Sequence, residues 1–192
     1  MALSTGSNKI KTAIFISGTG SNLQSLIKFS KKKISPISID LIISNNPKAR
    51  GLNYSKIFKI KKKVFNFKNK NIAENKILYV LKKNNIQMIC LAGFMRVLSK
   101  KFIERFKRKI LNIHPSLLPK YKGLNTFSKA LNSNDKFTGC TVHYVNEKLD
   151  SGKIILNKKV SILQNDDEKS LKNKVQKKEY IAYSQAIIKI FN

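Results

Sequence analysis

The sequence of 192 residues has no tryptophan and only two cysteines, Cys90 and Cys140. Both cysteines lie in apolar, strand-like runs, so they predict neither a disulfide framework nor a metal site with cysteine ligands. Residues 1–11 are polar and contain lysine, and the apolar stretch at residues 13–16 is far too short for a signal-peptide core or a membrane span. These absences exclude a disulfide-stapled secreted domain, and we expect a protein of the reducing cytoplasm.

Acidic residues are also scarce, because 10 aspartates and glutamates stand against 39 lysines and arginines, for a formal net charge of +29. Such a charge invites comparison with nucleic-acid-binding proteins. The lysines, however, are dispersed in pairs and triplets from residues 31–33 to residues 177–178, without interleaved aromatic residues or zinc-finger spacing. We therefore predict no specific nucleic-acid partner, and we expect weak attraction to phosphate and steering of anionic small substrates.

Length and patterning instead favour a single globular domain over residues 1–192, with 42% hydrophobic residues. Short apolar runs alternate with segments of helical periodicity. Strands are predicted at residues 12–17, 37–43, 64–67, 86–91, 110–114, 137–145 and 153–162, and helices at residues 22–31, 48–59, 72–83, 100–106, 126–131 and from about 166 onward. The alternation predicts an α/β fold with an open, mostly parallel twisted sheet and helices on both faces.

The end of the fifth predicted strand carries one of only two histidines, His114, two residues after Asn112. Alternation along a strand puts these two side chains on one face and their apolar neighbours Leu111 and Ile113 on the core face. An amide that donates to a developing oxyanion beside an imidazole that moves protons is what acyl or formyl transfer to an amine requires. The alternative is a buried pair whose side chains satisfy each other, and the run alone leaves both interpretations open.

The first turn, residues 17–23 (SGTGSNL), joins a strand to a helix. Backbone N–H groups and the helix dipole meet there beside glycines that allow close approach, so the turn predicts an anion site, such as one for phosphate. A dinucleotide fingerprint is the main alternative, but Leu23 replaces its third glycine, and Ser44 and Asn45 stand where its ribose-binding acid is needed. No Gly-Lys-Ser/Thr follows, which excludes a nucleotide P-loop, and a plain tight turn remains open.

Asp150 lies in a glycine-containing turn between the last two strands, where an aspartate usually serves as a turn former. Close to His114, its charge would favour the imidazolium and raise the pKa of the histidine, which suits a general acid near neutral pH. The second histidine, His143, lies within a strand between Val142 and Tyr144, and we interpret it as structural.

Four segments follow one another along nearly the whole chain: residues 14–24 (IFISGTGSNLQ), 91–99 (LAGFMRVLS), 111–124 (LNIHPSLLPKYKGL) and 139–152 (GCTVHYVNEKLDSG). Together they closely resemble the phosphoribosylglycinamide formyltransferases, a branch of the folate-dependent formyltransferase family. The His-Pro-Ser-Leu-Leu-Pro core is shared with relatives that act on methionyl-tRNA, whereas the glycine-rich first turn and the compact length favour the purine-synthesis branch. The resemblance implies a formyltransferase fold, with a Rossmann-like, phosphate-binding half at about residues 11–114 and a remainder, 115–192, that completes the active site.

The resemblance also implies the reaction and its catalytic residues. A formyl group would pass directly from the cosubstrate 10-formyltetrahydrofolate to the amine of glycinamide ribonucleotide, without a metal or a covalent intermediate. Asn112 would contact the folate and hydrogen-bond the formyl oxygen as it becomes an oxyanion, and His114 would serve as proton donor and electrostatic partner. Asp150 would raise the pKa of His114 and help to relay a proton, through water, from the attacking amine to the departing folate nitrogen.

Binding residues are implied in the same way. Glycinamide ribonucleotide would bind, with its phosphate on backbone groups and Ser21 and its ribose near the last helix, to Gly20, Ser21, Asn22, Leu23, Gln24, Gln176 and Glu179. The folate pocket would be lined, largely through backbone groups at the end of the fourth strand, by Met95, Arg96, Val97 and Leu98. Lys70 would stand in place of a folate-contacting arginine, keeping its charge and losing its planar fork.

Two alternatives to this assignment come from different classes. One is a methionyl-tRNA or sugar-amine formyltransferase, although we expect the chain to end too soon for a tRNA-contacting domain, and a sugar-amine enzyme leaves the phosphate turn unexplained. The other is a basic nucleic-acid-binding module that keeps the fold without activity, against which Asn112, His114 and Asp150 all argue. We expect small-molecule partners, no membrane, and a monomer or weak homodimer.

Overall fold

The computed structural model describes residues 9–191, and residues 1–8 and 192 of the predicted domain lie outside the described part. One sheet has seven strands in the order β3-β2-β1-β4-β5-β6-β7. The strands are β1 (Ile10–Ile16), β2 (Ile37–Ser44), β3 (Lys61–Val64), β4 (Met88–Leu91), β5 (Lys109–His114), β6 (Phe137–Tyr144) and β7 (Ile154–Ser161). The helices are α1 (Ser21–Ser30), α2 (Tyr54–Ile57), α3 (Lys70–Lys83), α4 (Lys100–Phe106), α5 (Thr126–Asn132) and α6 (Glu168–Phe191), with a 3₁₀ turn at Arg50–Asn53.

Strands β1 to β5 pair in parallel, and β6 and β7 join the sheet antiparallel, which confirms the predicted open, mostly parallel sheet. Strands β1 and β4 are buried along most of their length because helices cover both faces of the sheet. On one face, α1 and α6 pack with the sheet through residues that include Leu23 and Tyr183. On the other face, α3 and α4 pack through residues that include Ile77 and Phe102.

The third strand lies at Lys61–Val64 and not at the predicted residues 64–67. Within residues 9–191 it is an edge strand that pairs with β2 alone, and its lysines face solvent. Phe65 and Phe67, whose apolar character suggested the strand, pack against the core from the loop that follows it. Edge position therefore explains why the hydrophobic pattern pointed to the wrong residues.

The helix predicted at residues 48–59 is divided into the 3₁₀ turn and the single-turn α2. Gly51 in this segment packs directly on the first turn, because a Cβ added at Gly20 would lie 2.8 Å from the Cα of Gly51. The Gly51 N–H also donates to the carbonyl of Gly18 at 3.0 Å. The segment thus follows the contour of the first turn, which a regular helix could not do.

The carboxyl ends of the parallel strands meet at one edge of the sheet. The chain crosses from β1 to β2 on one side and later returns to place β4 on the other side of β1. The ends of β1 and β4 therefore form the switch point at which open α/β sheets bind their ligands. Across residues 9–191, no helix combines the length and apolar character needed to cross a membrane.

Candidate active site

Strand β5 ends in the polar pair that its alternation predicted. Asn112 and His114 share one face of the strand, and Leu111 and Ile113 pack in the core on the other. His114 is only 5% exposed, and Asn112 is half-buried. Hydrogen bonds and charges at such a desolvated position act more strongly than they would in water.

Asp150 reaches this pair from the turn between β6 and β7. Its backbone has a φ of +46°, a left-handed conformation that aspartate tolerates better than most residues, and it is 8% exposed. Its Oδ2 accepts the N–H of Gly123 at 2.9 Å and lies 3.3 Å from Nδ1 of His114. Burial opposes ionisation, but the nearby His143 ring, the hydrogen bond from Gly123 and the charge of His114 outweigh it and lower the pKa of Asp150. Asp150 therefore both forms the turn and provides an ionised partner for His114.

Both ring nitrogens of His114 have partners. Nε2 donates to the carbonyl of Tyr121 at 2.8 Å, and Nδ1 faces Asp150. A neutral ring has one N–H, and the Tyr121 carbonyl takes it, so an N–H directed at Asp150 requires the imidazolium. Burial nevertheless lowers the pKa of His114, although the Tyr121 carbonyl and the Asp150 carboxylate favour the charged ring. The raised pKa expected from Asp150 is thus wrong in net direction, because desolvation outweighs the carboxylate.

His143 belongs to the same cluster, which its interpretation as structural did not foresee. The antiparallel register of β5 and β6 places it directly opposite Asn112. Its Nε2 lies 3.2 Å from Nδ2 of Asn112 and 3.7 Å from Oδ1 of Asp150, while its Nδ1 donates to the carbonyl of Tyr144 at 2.8 Å. Only the pairing of the two strands reveals this contact, and no local signal in the sequence announces it.

The predicted anion turn leads directly into α1. Gly20 has a φ of +75° and no room for a Cβ, so the turn requires glycine at this position. The first turn of α1 has no acidic residue, and no side chain in the described part of the protein caps it, so backbone N–H groups there remain for an anion. Ser21 and Gln24 are half-buried at the turn, whereas Leu23 is buried in the core and offers only its backbone.

Two residues of α6, spaced one turn apart, reach the same place. Gln176 donates from Nε2 to Oγ of Ser21 at 2.8 Å, and Glu179 accepts from Nδ2 of Asn22 at 2.9 Å. The amide oxygen of Asn22, Oδ1, is buried and has no hydrogen-bond partner among residues 9–191. Such an atom is free to accept a hydrogen bond from a bound ligand. Burial raises the pKa of Glu179 to about 7, against the opposing effect of the Asn22 amide.

The loop after β4 carries the four residues expected at the folate pocket. Met95, Arg96 and Val97 are exposed at the carboxyl edge of the sheet. Leu98 is only 4% exposed and packs in the core, so it can line a pocket only through its backbone. The loop therefore presents three accessible side chains to a ligand, together with main-chain groups other than the Met95 N–H, which donates to Oγ of Ser17.

Helix α3 begins beside this loop, with the exposed Lys70 as its first residue. One turn later, Glu74 accepts the backbone N–H of Ser99 at 2.8 Å and also accepts from the Ser99 hydroxyl. Ser99 directly follows Leu98 and caps α4. Glu74 thus ties α3 to the end of the folate loop, a role that sequence analysis did not assign, and it brings the start of α3 near that loop.

A cleft of about 840 Å³ lies away from these residues, at the amino ends of β1 and β4. It is lined by side chains of α3 and α4 and by Lys11, Gln87 and Arg108. No residue predicted for catalysis or substrate binding lines it. The candidate active site is therefore distinct from this basic cleft.

Comparison with known proteins identifies the family of the chain. The formyl transferase family model matches residues 10–187. The chain is similar to the phosphoribosylglycinamide formyltransferase of Haemophilus influenzae, with 42% identity over 180 residues that cover 92% of this chain and 85% of that protein. It is also 41% identical over 182 residues to the trifunctional purine biosynthetic protein adenosine-3 of Homo sapiens, but the match covers 93% of this chain and only 18% of that protein.

Solved structures agree in fold and length. The phosphoribosylglycinamide formyltransferase of Brucella melitensis superposes with a TM-score of 0.91 at 39% identity, covering 95% of this chain and 96% of that one. The enzyme of the same description from Anaplasma phagocytophilum gives 0.88 at 37% identity, covering 94% and 85%. The chain therefore belongs to the formyl transferase family, in its phosphoribosylglycinamide formyltransferase branch.

Proposed function

We propose that this protein transfers the formyl group of 10-formyltetrahydrofolate to the amine of N1-(5-phospho-D-ribosyl)glycinamide, or glycinamide ribonucleotide, in de novo purine (IMP) biosynthesis. The observation that carries the proposal is the cluster of Asn112, His114 and Asp150 at the same sheet edge as an uncapped helix start. The descriptions of its relatives support the same substrate.

The reaction moves a formyl group from one nitrogen to another. The amine nitrogen attacks the formyl carbon, a C–N bond forms, and the carbonyl oxygen becomes an oxyanion. The bond between that carbon and the folate nitrogen then breaks, and the amine loses the one proton that the folate nitrogen gains. The site must therefore supply hydrogen-bond donors to the oxyanion and groups that relay the proton. Asn112, His114 and Asp150 are suited to these two roles.

The Asn112 amide must rotate to take its role as oxyanion donor. Its Nδ2 is directed inward, 3.2 Å from Nε2 of His143 and 3.5 Å from Oδ1 of Asp150. An amide nitrogen carries two N–H groups, so a rotation that gives up the 3.5 Å contact with Asp150 leaves one N–H for the formyl oxygen while the other stays on Nε2 of His143. Because Nδ1 of His143 donates to the Tyr144 carbonyl, its Nε2 can accept that second N–H.

The three parts of the two substrates correspond to three parts of the site. The phosphate suits the free N–H groups at the start of α1. The ribose hydroxyls suit the carboxylate of Glu179 and the unpartnered Oδ1 of Asn22, since both accept hydrogen bonds. The folate ring suits the main chain after β4, and Lys70 at the start of α3 provides a cation for a folate carboxylate.

The test is formyl transfer from 10-formyltetrahydrofolate, measured side by side with glycinamide ribonucleotide, methionyl-tRNA and an amino sugar as acceptors. We expect efficient transfer only to glycinamide ribonucleotide, because its phosphate and ribose match the turn and α6. Comparable or faster formylation of the charged tRNA would overturn the assignment. Activity with the amino sugar alone would move the protein to the sugar-amine branch.

Affinity for glycinamide ribonucleotide is expected to depend on Glu179, whose pKa is raised to about 7. The Glu179 side chain is therefore mainly neutral below about pH 7 and mainly charged above it. A carboxylate accepts hydrogen bonds from ribose hydroxyls more strongly than a carboxylic acid does. The dissociation constant measured by calorimetry should therefore fall as the pH rises through about 7.

The phosphate of the substrate titrates in the same pH range, so its contribution to the pH dependence must be separated from that of Glu179. Glu179→Gln should bind more weakly and should lose the part of the pH dependence that the phosphate does not explain. Glu168→Gln, which changes an exposed glutamate of the same helix, should behave like the unmodified protein. An unchanged pH profile in Glu179→Gln would remove Glu179 from the ribose site.

We also propose that the protein works in the cytoplasm on small molecules, as a monomer or weak homodimer, and that its charge serves no sequence-specific nucleic-acid function. Binding to duplex DNA or RNA should be indifferent to sequence and should fall steeply between about 50 and 200 mM salt, because it rests on counterion release. Fluorescence anisotropy with two unrelated duplexes measures this. A sequence preference at physiological salt would support the nucleic-acid-binding alternative.

A further inference from the structure

Ser17 is the first residue of the phosphate turn, residues 17–23, and it bonds to the folate loop after β4 and to Asn45 and Asn46 after β2. It follows the last residue of β1, and it is half-buried at the carboxyl edge of the sheet. Its backbone N–H, its carbonyl and its hydroxyl, as donor and as acceptor, all have protein partners. Beyond its place at the start of the turn, neither the sequence pattern nor the proposed catalytic chemistry gives its side chain a role.

Two of these bonds hold the folate loop. The Ser17 N–H donates to the carbonyl of Gly93 at 3.0 Å, and the Ser17 Oγ accepts the N–H of Met95 at 2.8 Å. Because that N–H is already donated, Met95 cannot offer it to a ligand. Arg96 and Val97, the next two residues, are the exposed tip of the loop. Ser17 therefore holds the base of the folate loop and leaves the tip free.

The other bonds hold the segment that backs the phosphate turn. The Ser17 hydroxyl donates to Oδ1 of Asn45, and the Ser17 carbonyl accepts from Nδ2 of Asn46 at 3.1 Å. The same segment continues to Gly51, which donates to Gly18 and packs on Gly20. The Ser17 hydroxyl thus links the backbone of Met95 to the side chain of Asn45, which begins the segment that packs behind the phosphate turn.

We propose that Ser17 is a positioning residue that couples the two substrate sites, so that a ligand at the phosphate turn strengthens binding of folate at the loop after β4. The proposal deepens the proposed function and rests on it. The tips of both loops are exposed, since Gly18, Thr19, Arg96 and Val97 all face solvent. A ligand that orders one tip also restrains Ser17, which lowers the entropy cost of ordering the other tip.

This coupling must be reciprocal. If glycinamide ribonucleotide tightens folate binding by a given factor, folate must tighten glycinamide ribonucleotide binding by the same factor. Ser17→Ala removes the hydroxyl while the backbone bonds to Gly93 and Asn46 remain. The substitution therefore cuts the link from Asn45 to Met95 without removing any group proposed to touch a substrate.

The experiment measures the dissociation constant of tetrahydrofolate by calorimetry, with and without saturating glycinamide ribonucleotide. This pair contains no formyl group and cannot react. In the unmodified protein, we expect glycinamide ribonucleotide to tighten tetrahydrofolate binding about fivefold or more. In Ser17→Ala the factor should fall to within about twofold of one, while the dissociation constant of each ligand alone changes by less than about threefold.

Two further variants separate coupling from folding. Asn45→Ala removes the acceptor of the Ser17 hydroxyl and leaves Ser17 in place, and it should also weaken the coupling. Ser38→Ala removes a hydroxyl on β2 that donates to Asp40, and it should leave the coupling factor unchanged. Thermal unfolding of each variant shows whether it is folded, and Asn45→Ala carries the test if Ser17→Ala does not fold.

Three outcomes overturn the proposal or its basis, and they are distinguishable. An unmodified protein that binds both ligands without coupling refutes the proposal. So does a folded Ser17→Ala that keeps the full coupling factor. An unmodified protein that does not bind glycinamide ribonucleotide at all refutes the proposed function itself, and with it the ground for coupling.

Discussion

Replacing His114 with alanine is expected to lower kcat by about 10²-fold or more, as is usual for the loss of a general acid or an oxyanion donor. Asn112→Ala and Asp150→Asn should each have an effect of similar size. All three groups stabilise charge or move a proton mainly in the transition state, so substrate dissociation constants should change far less than kcat. Steady-state kinetics with glycinamide ribonucleotide, together with calorimetry, separate the two quantities.

The effects of His114 and Asp150 should not multiply. Asp150 lies 3.3 Å from Nδ1 of His114 and acts largely through that ring, so a double His114→Ala/Asp150→Asn variant should be little worse than the poorer single variant. Asp40→Asn provides the matched control, because it removes a carboxylate on β2 that bonds Ser38. That control should retain kcat within about twofold, because Asp40 is outside the proposed catalytic cluster.

NMR titration of His114 tests the physical link between the two residues. Burial already lowers the pKa of His114, and Asp150 is one of the groups that oppose this effect. Asp150→Asn should therefore lower the pKa of His114 further. If the pKa stays unchanged and the losses in kcat multiply, Asp150 is only a turn former.

Gly152→Ala is expected to lower both stability and activity. A Cβ at Gly152 would lie 1.7 Å from the backbone oxygen of Tyr144, and strand pairing holds that residue through its N–H bond to Lys153 at 3.0 Å. The turn would have to shift, at a cost of about 3 kcal/mol, as for other overpacked sites. For a chain of this size, the melting temperature should fall by about 6–12 °C. Because Asp150 lies in the same turn, kcat should fall as well.

The stability control for this prediction is Gly18→Ala. No atom lies within 4 Å of a Cβ added at Gly18, and its backbone is not left-handed, so the free energy of unfolding should change by less than about 0.5 kcal/mol. Chemical denaturation compares both variants with the unmodified protein. A Gly152→Ala protein with unchanged stability and kcat would show that the turn yields easily and does not hold Asp150 in place.

The fold was largely predictable because its evidence is local. Buried parallel strands are apolar runs of a characteristic length, and the helices between them show their own period, so the alternation predicted both the sheet and its covering layers. Two elements did not follow this logic. The lysine-rich β3 pairs only at the sheet edge, and the segment with Gly51 is shaped by its contact with Gly20.

The candidate site was predictable to a different degree at each residue. Asn112 and His114 share a strand, so their common face followed from alternation alone. Gln176 and Glu179 came only from the resemblance, because 155 residues separate Gln176 from Ser21, which it contacts. The contact of His143 with Asn112 depends on the register between β5 and β6, and the sequence carries no separate signal for that register.

By itself, the sequence determined the α/β class, the family and the residue types available for chemistry, because periodicity and motifs are properties of neighbouring positions. Only the tertiary structure decided the net direction in which the pKa of each buried group shifts. Asp150 alone would raise the pKa of His114, but burial of the ring lowers it, and burial also brings the pKa of Glu179 to about 7. Desolvation depends on everything packed around a group, so no stretch of sequence can state it in advance.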